Sequence, residues 1–219
     1  MTRIQRTIRT AGLLAAVALT AKTIDAQASK GEMGGKGMSM SMPARERMMS
    51  GWPMASREAV MFMTKKYGAP AAMTADMAIW GKTGPWKRTI VYCKEHPHEF
   101  PMHHTDVMQQ LVDYKAPAAM YDALAMYDGS VVLERTSGEI SARCDKEGAN
   151  FLALNLAHDI VTGKQTVDGA RTMYGEQIMA MKAMKSAPYT ERLMFTPMMG
   201  GTGDPDQALA KSGAMKSMK

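Results

Sequence analysis

Apolar positions recur along this chain at helical and strand periods in turn, and each run predicts an element. From Ser56, the residues Val60, Met63 and Tyr67 share one helical face; Ser56 is placed to cap the helix, Glu58 suits its first turn, and Gly68 and Pro70 end it. Two β-prone runs follow, residues 77–80 and 86–94, joined through Gly81-Lys82-Thr83-Gly84-Pro85, with Ile90 and Tyr92 on one face and Val91 and Cys93 on the other. Residues 106–114 fit a helix through Val107, Leu111 and Tyr114, but the flanking prolines and neighbouring hairpins favour a strand. Pro117 opens a short helix over 118–127, and Asp128-Gly129 turns the chain.

The clearest hairpin spans residues 130–144 around Ser137-Gly138. A two-residue turn there sets Leu133 opposite Ala142 and Val131 opposite Cys144 on a buried face, with Glu134 and Arg143 on a wet one. Asp145 is positioned to cap an apolar helix over 146–162, stopped by Gly163. Thr166 opens another, with Val167, Ala170, Tyr174, Ile178 and Met181 on one stripe. So short a connection makes the two helices antiparallel neighbours. The expected class is α+β: an antiparallel sheet built from hairpins, with an antiparallel helix pair and further helices packed on one face.

The ends of the chain read differently. Arg3, Arg6 and Arg9, then an apolar run at 11–21, then Ala26-Gln27-Ala28 have the layout of a cleavable signal peptide over 1–28. Eleven apolar residues span about 16 Å of helix, roughly half a hydrocarbon core, so no transmembrane span is expected in the mature protein. With no adjacent Arg-Arg pair and no Cys after Ala28, the general secretory route and a periplasmic or extracellular location are expected. Residues 29–50 are rich in Met, Gly and Ser and read as a flexible linker, residues 51–196 as a single domain, and 197–219 as a disordered tail.

Charge narrows the function classes. The chain carries a formal net charge of +6, but residues 51–195 hold 16 basic and 16 acidic residues; the excess lies in the leader and the two ends. A nucleic-acid partner is therefore not expected, because phosphate neutralisation needs a basic folded surface.

Several strings stand in order between residues 66 and 174: Lys66-Tyr67-Gly68, Gly84-Pro85-Trp86-Lys87-Arg88, His98-Glu99-Phe100-Pro101, His104-Thr105-Asp106, Asp128-Gly129-Ser130-Val131, Arg135-Thr136, and Ser141-Ala142-Arg143-Cys144-Asp145 leading into Asn150-Phe151-Leu152-Ala153-Leu154-Asn155-Leu156. On these strings the chain resembles an uncharacterised family of exported bacterial proteins. The resemblance implies a shared domain and carries no activity with it.

Four groups of residues bear candidate chemistry. Methionine is abundant, 25 in 219 residues, and Met38, Met40 and Met42 place three thioethers on one side of an extended segment, a spacing that suits Cu(I) or Ag(I); elsewhere Met more plausibly fills core gaps. His96, His98, Met102, His103, His104 and Asp106 gather four of the five histidines, and His98 with His103 or His104 could share a metal across a loop. Cys93 and Cys144 could form a disulfide or remain two thiols. Asn155, His158, Asp159 and Thr162 run along one helix edge, which is either a pocket edge or the solvent border of a core helix.

No catalytic motif assembles from these residues. The expectation is a non-enzymatic exported domain that binds an envelope or extracellular partner without a cofactor. One alternative is a soft-metal protein with copper at its Met and His segments; another is a hydrolase in which His98, His104, Asp106 or His158 converge.

Overall fold

A computed structural model describes residues 41–208 of the chain; the expected signal peptide, Met38, Met40 and residues 209–219 lie outside them. The architecture is α+β. Six strands form one antiparallel sheet in the order β1-β2-β3-β4-β6-β5, with β1 Ala72–Met73, β2 Met77–Trp80, β3 Arg88–His98, β4 His104–Asp113, β5 Val132–Glu134 and β6 Glu139–Cys144. Five helices accompany it: α1 Met42–Met48, α2 Met54–Tyr67, α3 Tyr121–Tyr127, α4 Glu147–Val161 and α5 Val167–Lys182. The segment expected over 106–114 is indeed strand, running His104–Asp113 and ending before Tyr114, and Thr166 does cap α5, its Oγ1 accepting from the Gly169 N–H at 3.0 Å. Among the described residues, no helix is long and apolar enough to cross a membrane.

Register explains why one face is covered. Ala78, Val91, Met108 and Cys144 form one cross-strand row, and Trp80, Thr89, Gln110 and Ala142 the next; all eight are buried. Alpha-helix α2 packs over the β2–β4 part of this face and α4 over the β4–β6 part, with α3 and α5 outside α4. The opposite face holds polar cross-strand pairs: Tyr92 Oη donates to Gln109 Oε1 (2.7 Å), Gln109 Nε2 to Ser141 Oγ (2.8 Å), and Arg88 and Lys87 meet Glu139 at 3.0 and 2.7 Å.

The two parts of the core meet at a buried carboxylate. Glu147, in the first turn of α4 and 4 % exposed, accepts from Trp86 Nε1 and Tyr67 Oη, each at 2.7 Å, and pairs with Lys66. Gln110 Nε2 approaches the same carboxylate at 3.4 Å, and Asn150 Nδ2 donates to Gln110 Oε1 and the Met108 carbonyl, both at 3.0 Å. Trp86 then stacks on Phe151, centroids 4.8 Å apart. Burial disfavours the Lys66 ammonium, yet Glu147 more than offsets this and raises its pKa.

Several local expectations need correction. Alpha-helix α2 starts at Met54 on Pro53, whose fixed φ suits a helix entry, so Ser56 lies inside it and its hydroxyl donates to the Cys93 carbonyl at 3.3 Å. Lys146 rather than Asp145 is the N-cap of α4, and the Asp145 carboxylate meets the Lys146 ammonium at 2.9 Å. In the last hairpin Leu133 faces Ile140, not Ala142, because the loop has four residues; Glu134 turns back to accept from the Thr136 and Ser137 N–H groups at 3.0 and 2.7 Å. The shift of two residues keeps the buried face. Its other face is less wet than expected, for Glu139 and Ser141 are buried within the polar lattice.

Residues at both margins are structured too. The segment expected to end a linker forms α1, with Arg45 and Met49 buried. In the segment expected as tail, Thr202 is buried against Gly138, where a Cβ would fall 2.1 Å from the Thr202 carbonyl oxygen.

Cys93 and Cys144 are free thiols. Strand β4 lies between theirs, and two strand spacings of about 4.8 Å exceed the Cα separation a disulfide spans. Denatured, unreduced protein should therefore react with two equivalents of maleimide; a mass lacking both adducts would contradict the strand order. Glu147→Leu strands the Trp86 and Tyr67 donors and should lower stability by about 3 kcal/mol in urea denaturation, whereas Lys66→Met, at a half-exposed partner, should cost less than about 1 kcal/mol.

Candidate metal centre

An irregularity in β3 builds the site. Val91 lies opposite Met108, yet His96 lies opposite Asp106, so β3 advances five residues while β4 recedes two. The surplus of three is odd, and side chains alternate with period two. Beyond the bulge, the even-numbered His96 and His98 therefore share the helix-side face with His104 and Asp106, which their parity before it would forbid. His98 and His104 then stand directly opposite each other, ring centroids 4.9 Å apart.

His98, His104 and Asp106 each offer a ligand atom, and these atoms all lie within 4.8 Å of one another. Asp106 is 2 % exposed; its Oδ2 lies 3.3 Å from His98 Nδ1 and its Oδ1 lies 3.2 Å from His104 Nε2. Donors around a tetrahedral zinc ion are separated by roughly 3.3 Å, given bonds of about 2.0–2.1 Å. Ser130 Oγ donates to Asp106 Oδ2, while Asp106 Oδ1 has no aligned donor despite its burial, the His104 contact being an ion-pair approach. His104 Nδ1 donates to the Met102 carbonyl at 2.8 Å, which in the neutral ring leaves Nε2 as the free lone pair.

A second buried carboxylate stands beside the first. Asp128 Oδ1 accepts from the Ser130 N–H at 2.8 Å and lies 3.8 Å from His98 Nε2. Burial raises its pKa, the Ser130 N–H opposes this, and Asp106 adds to it. Side-chain hydrogen bonding to Asp106 and then to Cys144 outweighs burial and pushes the His104 pKa up to about 11. Burial pushes the Cys144 thiol up, although His104 works in the other direction. A pocket holding buried carboxylates against imidazoles favours a cation, either a proton or a metal ion.

A cleft of about 810 Å³ adjoins the centre, between the bulged end of β3–β4, the start of α4 and one side of α5. His104 and Cys144 form part of its wall.

The remaining sequence candidates lie elsewhere. His103 is exposed and pairs with Glu99 at 2.8 Å, outside the donor set. Met42 is exposed beside Arg45, and Met38 and Met40 fall outside the described residues. Asn155 holds the segment after α5, donating to the Tyr189 and Arg192 carbonyls at 3.0 and 2.8 Å and accepting from the Met194 N–H at 2.7 Å; Asp159 accepts from Tyr189 Oη at 2.7 Å. His158 stacks on Phe195 at 4.5 Å, and burial followed by Lys164 lowers its pKa. These three residues fasten the chain and do not line the cleft. Sequence reasoning missed Asp128, which reads as a turn residue, and Ser130, which reads as the start of the hairpin. The alternation His104-Thr105-Asp106, two donors on one strand face, was the available signal.

No protein-family model, curated protein or solved structure matches the chain.

Because the folded His104 pKa lies above its ordinary 6.5, the charged ring stabilises the metal-free fold in full below about pH 6.5 and progressively less as pH rises toward about 11. Urea denaturation in chelator should show stability falling between about pH 7 and pH 10 in the native protein and a flatter profile in His104→Ala. Equal slopes would remove His104 as the source.

Proposed function

We propose that the protein is an exported metal-binding domain that holds a divalent first-row ion at His98, His104 and Asp106. The observation that carries this reading is a buried aspartate whose two oxygens lie 3.3 and 3.2 Å from ring nitrogens of His98 and His104, all on one face of a bulged hairpin. The tautomer that Met102 imposes on His104 supports it, since the outer nitrogen of a metal-binding imidazole ordinarily donates to a fixed acceptor. Two nitrogens and one carboxylate suit Zn²⁺ or Cu²⁺, and they suit Cu(I) less well than the thioethers of Met38, Met40 and Met42 would. The leader at 1–28 supports delivery of this domain to the periplasm or beyond.

A hydrolytic role draws less support. Ser130 Oγ donates to Asp106 and lies 3.3 Å from His98 Nδ1, but it is buried and does not line the cleft, so a substrate seated there does not meet that hydroxyl.

Competition titration of the purified full chain with zinc and a chromophoric chelator tests the proposal. His104→Ala and Asp106→Asn should each weaken binding by at least about a hundredfold, while His103→Ala and His158→Ala leave it unchanged. Equal affinity in all four variants would end the reading. Zinc at a hundred times its Kd should also add about 2.7 kcal/mol to unfolding stability.

A further inference from the structure

We infer that the cleft beside this centre binds a small amphiphilic anion, its anionic oxygen head at the His104 end and its apolar body along α5. The inference rests on the proposed metal reading in one respect: the bound ion is the partner of the head group.

Size and lining carry the proposal. A cleft of about 810 Å³ falls in the range of small-molecule sites, and Met102, Tyr174, Ile178 and Met181 give it an apolar wall. Its polar lining sets Lys146, Lys182 and two imidazoles against the carboxylates of Glu95 and Asp145, the second of which is paired with Lys146. His104 belongs both to the donor set and to the cleft wall, so the cleft abuts the place where an ion would be held. Three protein donors leave a tetrahedral ion one position for an external oxygen. The first turn of the 15-residue α4 borders the same end through Lys146 and Ala149, adding the positive end of a helix dipole.

Lys182 completes the polarity at the mouth. Its ammonium rests against Met102 Sδ and, among the described residues, has no carboxylate within ion-pair distance, whereas Lys146 is already paired with Asp145. A neutral apolar ligand would leave the Lys182 ammonium and the coordination position unanswered, and a small hydrophilic anion would leave the apolar wall wet. A molecule with both parts meets both requirements.

The test uses the full chain, first titrated with zinc alone and then with octanoate by calorimetry, with octan-1-ol and acetate as single-feature controls. Octanoate should bind the zinc-loaded protein at least tenfold more tightly than either control and than it binds the zinc-free protein. Met181→Trp, which fills the cleft, and Lys182→Glu, a fully exposed change, should each cut octanoate binding at least tenfold with zinc affinity unaltered. Octanoate binding no better than octan-1-ol, or equal with and without zinc, would overturn the inference while zinc still binds. Failure of the metal reading shows earlier and separately, as absence of zinc uptake before any octanoate is added.

Discussion

The carboxylate of Glu147 is the constraint on which the rest of this fold depends. A buried negative charge is tolerated only when its lone pairs are met, and here the donors come from α2, the segment before β3, and β4. Helices α2 and α4 each cover a different part of one sheet face, and neither packs extensively on the other. What ties the two parts together is the group of Lys66, Tyr67, Trp86, Gln110 and Asn150 around that one side chain. It also fixes how α4 begins: turning Glu147 inward sets the helix start, which leaves Asp145 outside the first turn.

That fixed start has consequences for the candidate centre. Strand β6 runs into α4 through Cys144 and Asp145, so anchoring the helix also anchors the wall of the cleft beside His104. The centre itself depends on the bulge in β3, since three extra residues, an odd number, rotate His98 onto the face that His104 and Asp106 already occupy. Two buried carboxylates close to these rings make the pocket receptive to positive charge. The metal reading grows from this electrostatic preference at the donor atoms, and the amphiphile reading from the ion so held together with Lys182 and the apolar wall of the adjoining cleft.

Much of the architecture was legible in the chain because amphipathic periodicity is a local property. The α2 stripe of Val60 and Met63, the alternation in β2 and β3, and the apolar density of α4 each announce an element that must bury one side. Helix starts were less legible. Ser56 and Asp145 look like caps in isolation, yet Pro53 and the inward demand of Glu147 moved both starts by a residue or more. The edge carrying Asn155, His158 and Asp159 allowed either a pocket or a border, and neighbours distant in sequence made it an anchor for residues 189–195.

By itself, then, the sequence determined the fold class, the order of elements, the even balance of charge over residues 51–195 and the crowding of histidines between β3 and β4. Only the tertiary structure decided which histidines act together. His103 and His104 are adjacent in sequence and have the same chemistry, but His103 sits in the exposed bend before β4 while His104 opens the strand on its covered face, and the bulge selects His98 as the partner. Strand order likewise kept Cys93 from Cys144, through a spacing that no count of intervening residues reveals. Local patterns report which side of an element is buried; convergence of groups from separate elements depends on register and strand order, which are set by the whole packed sheet.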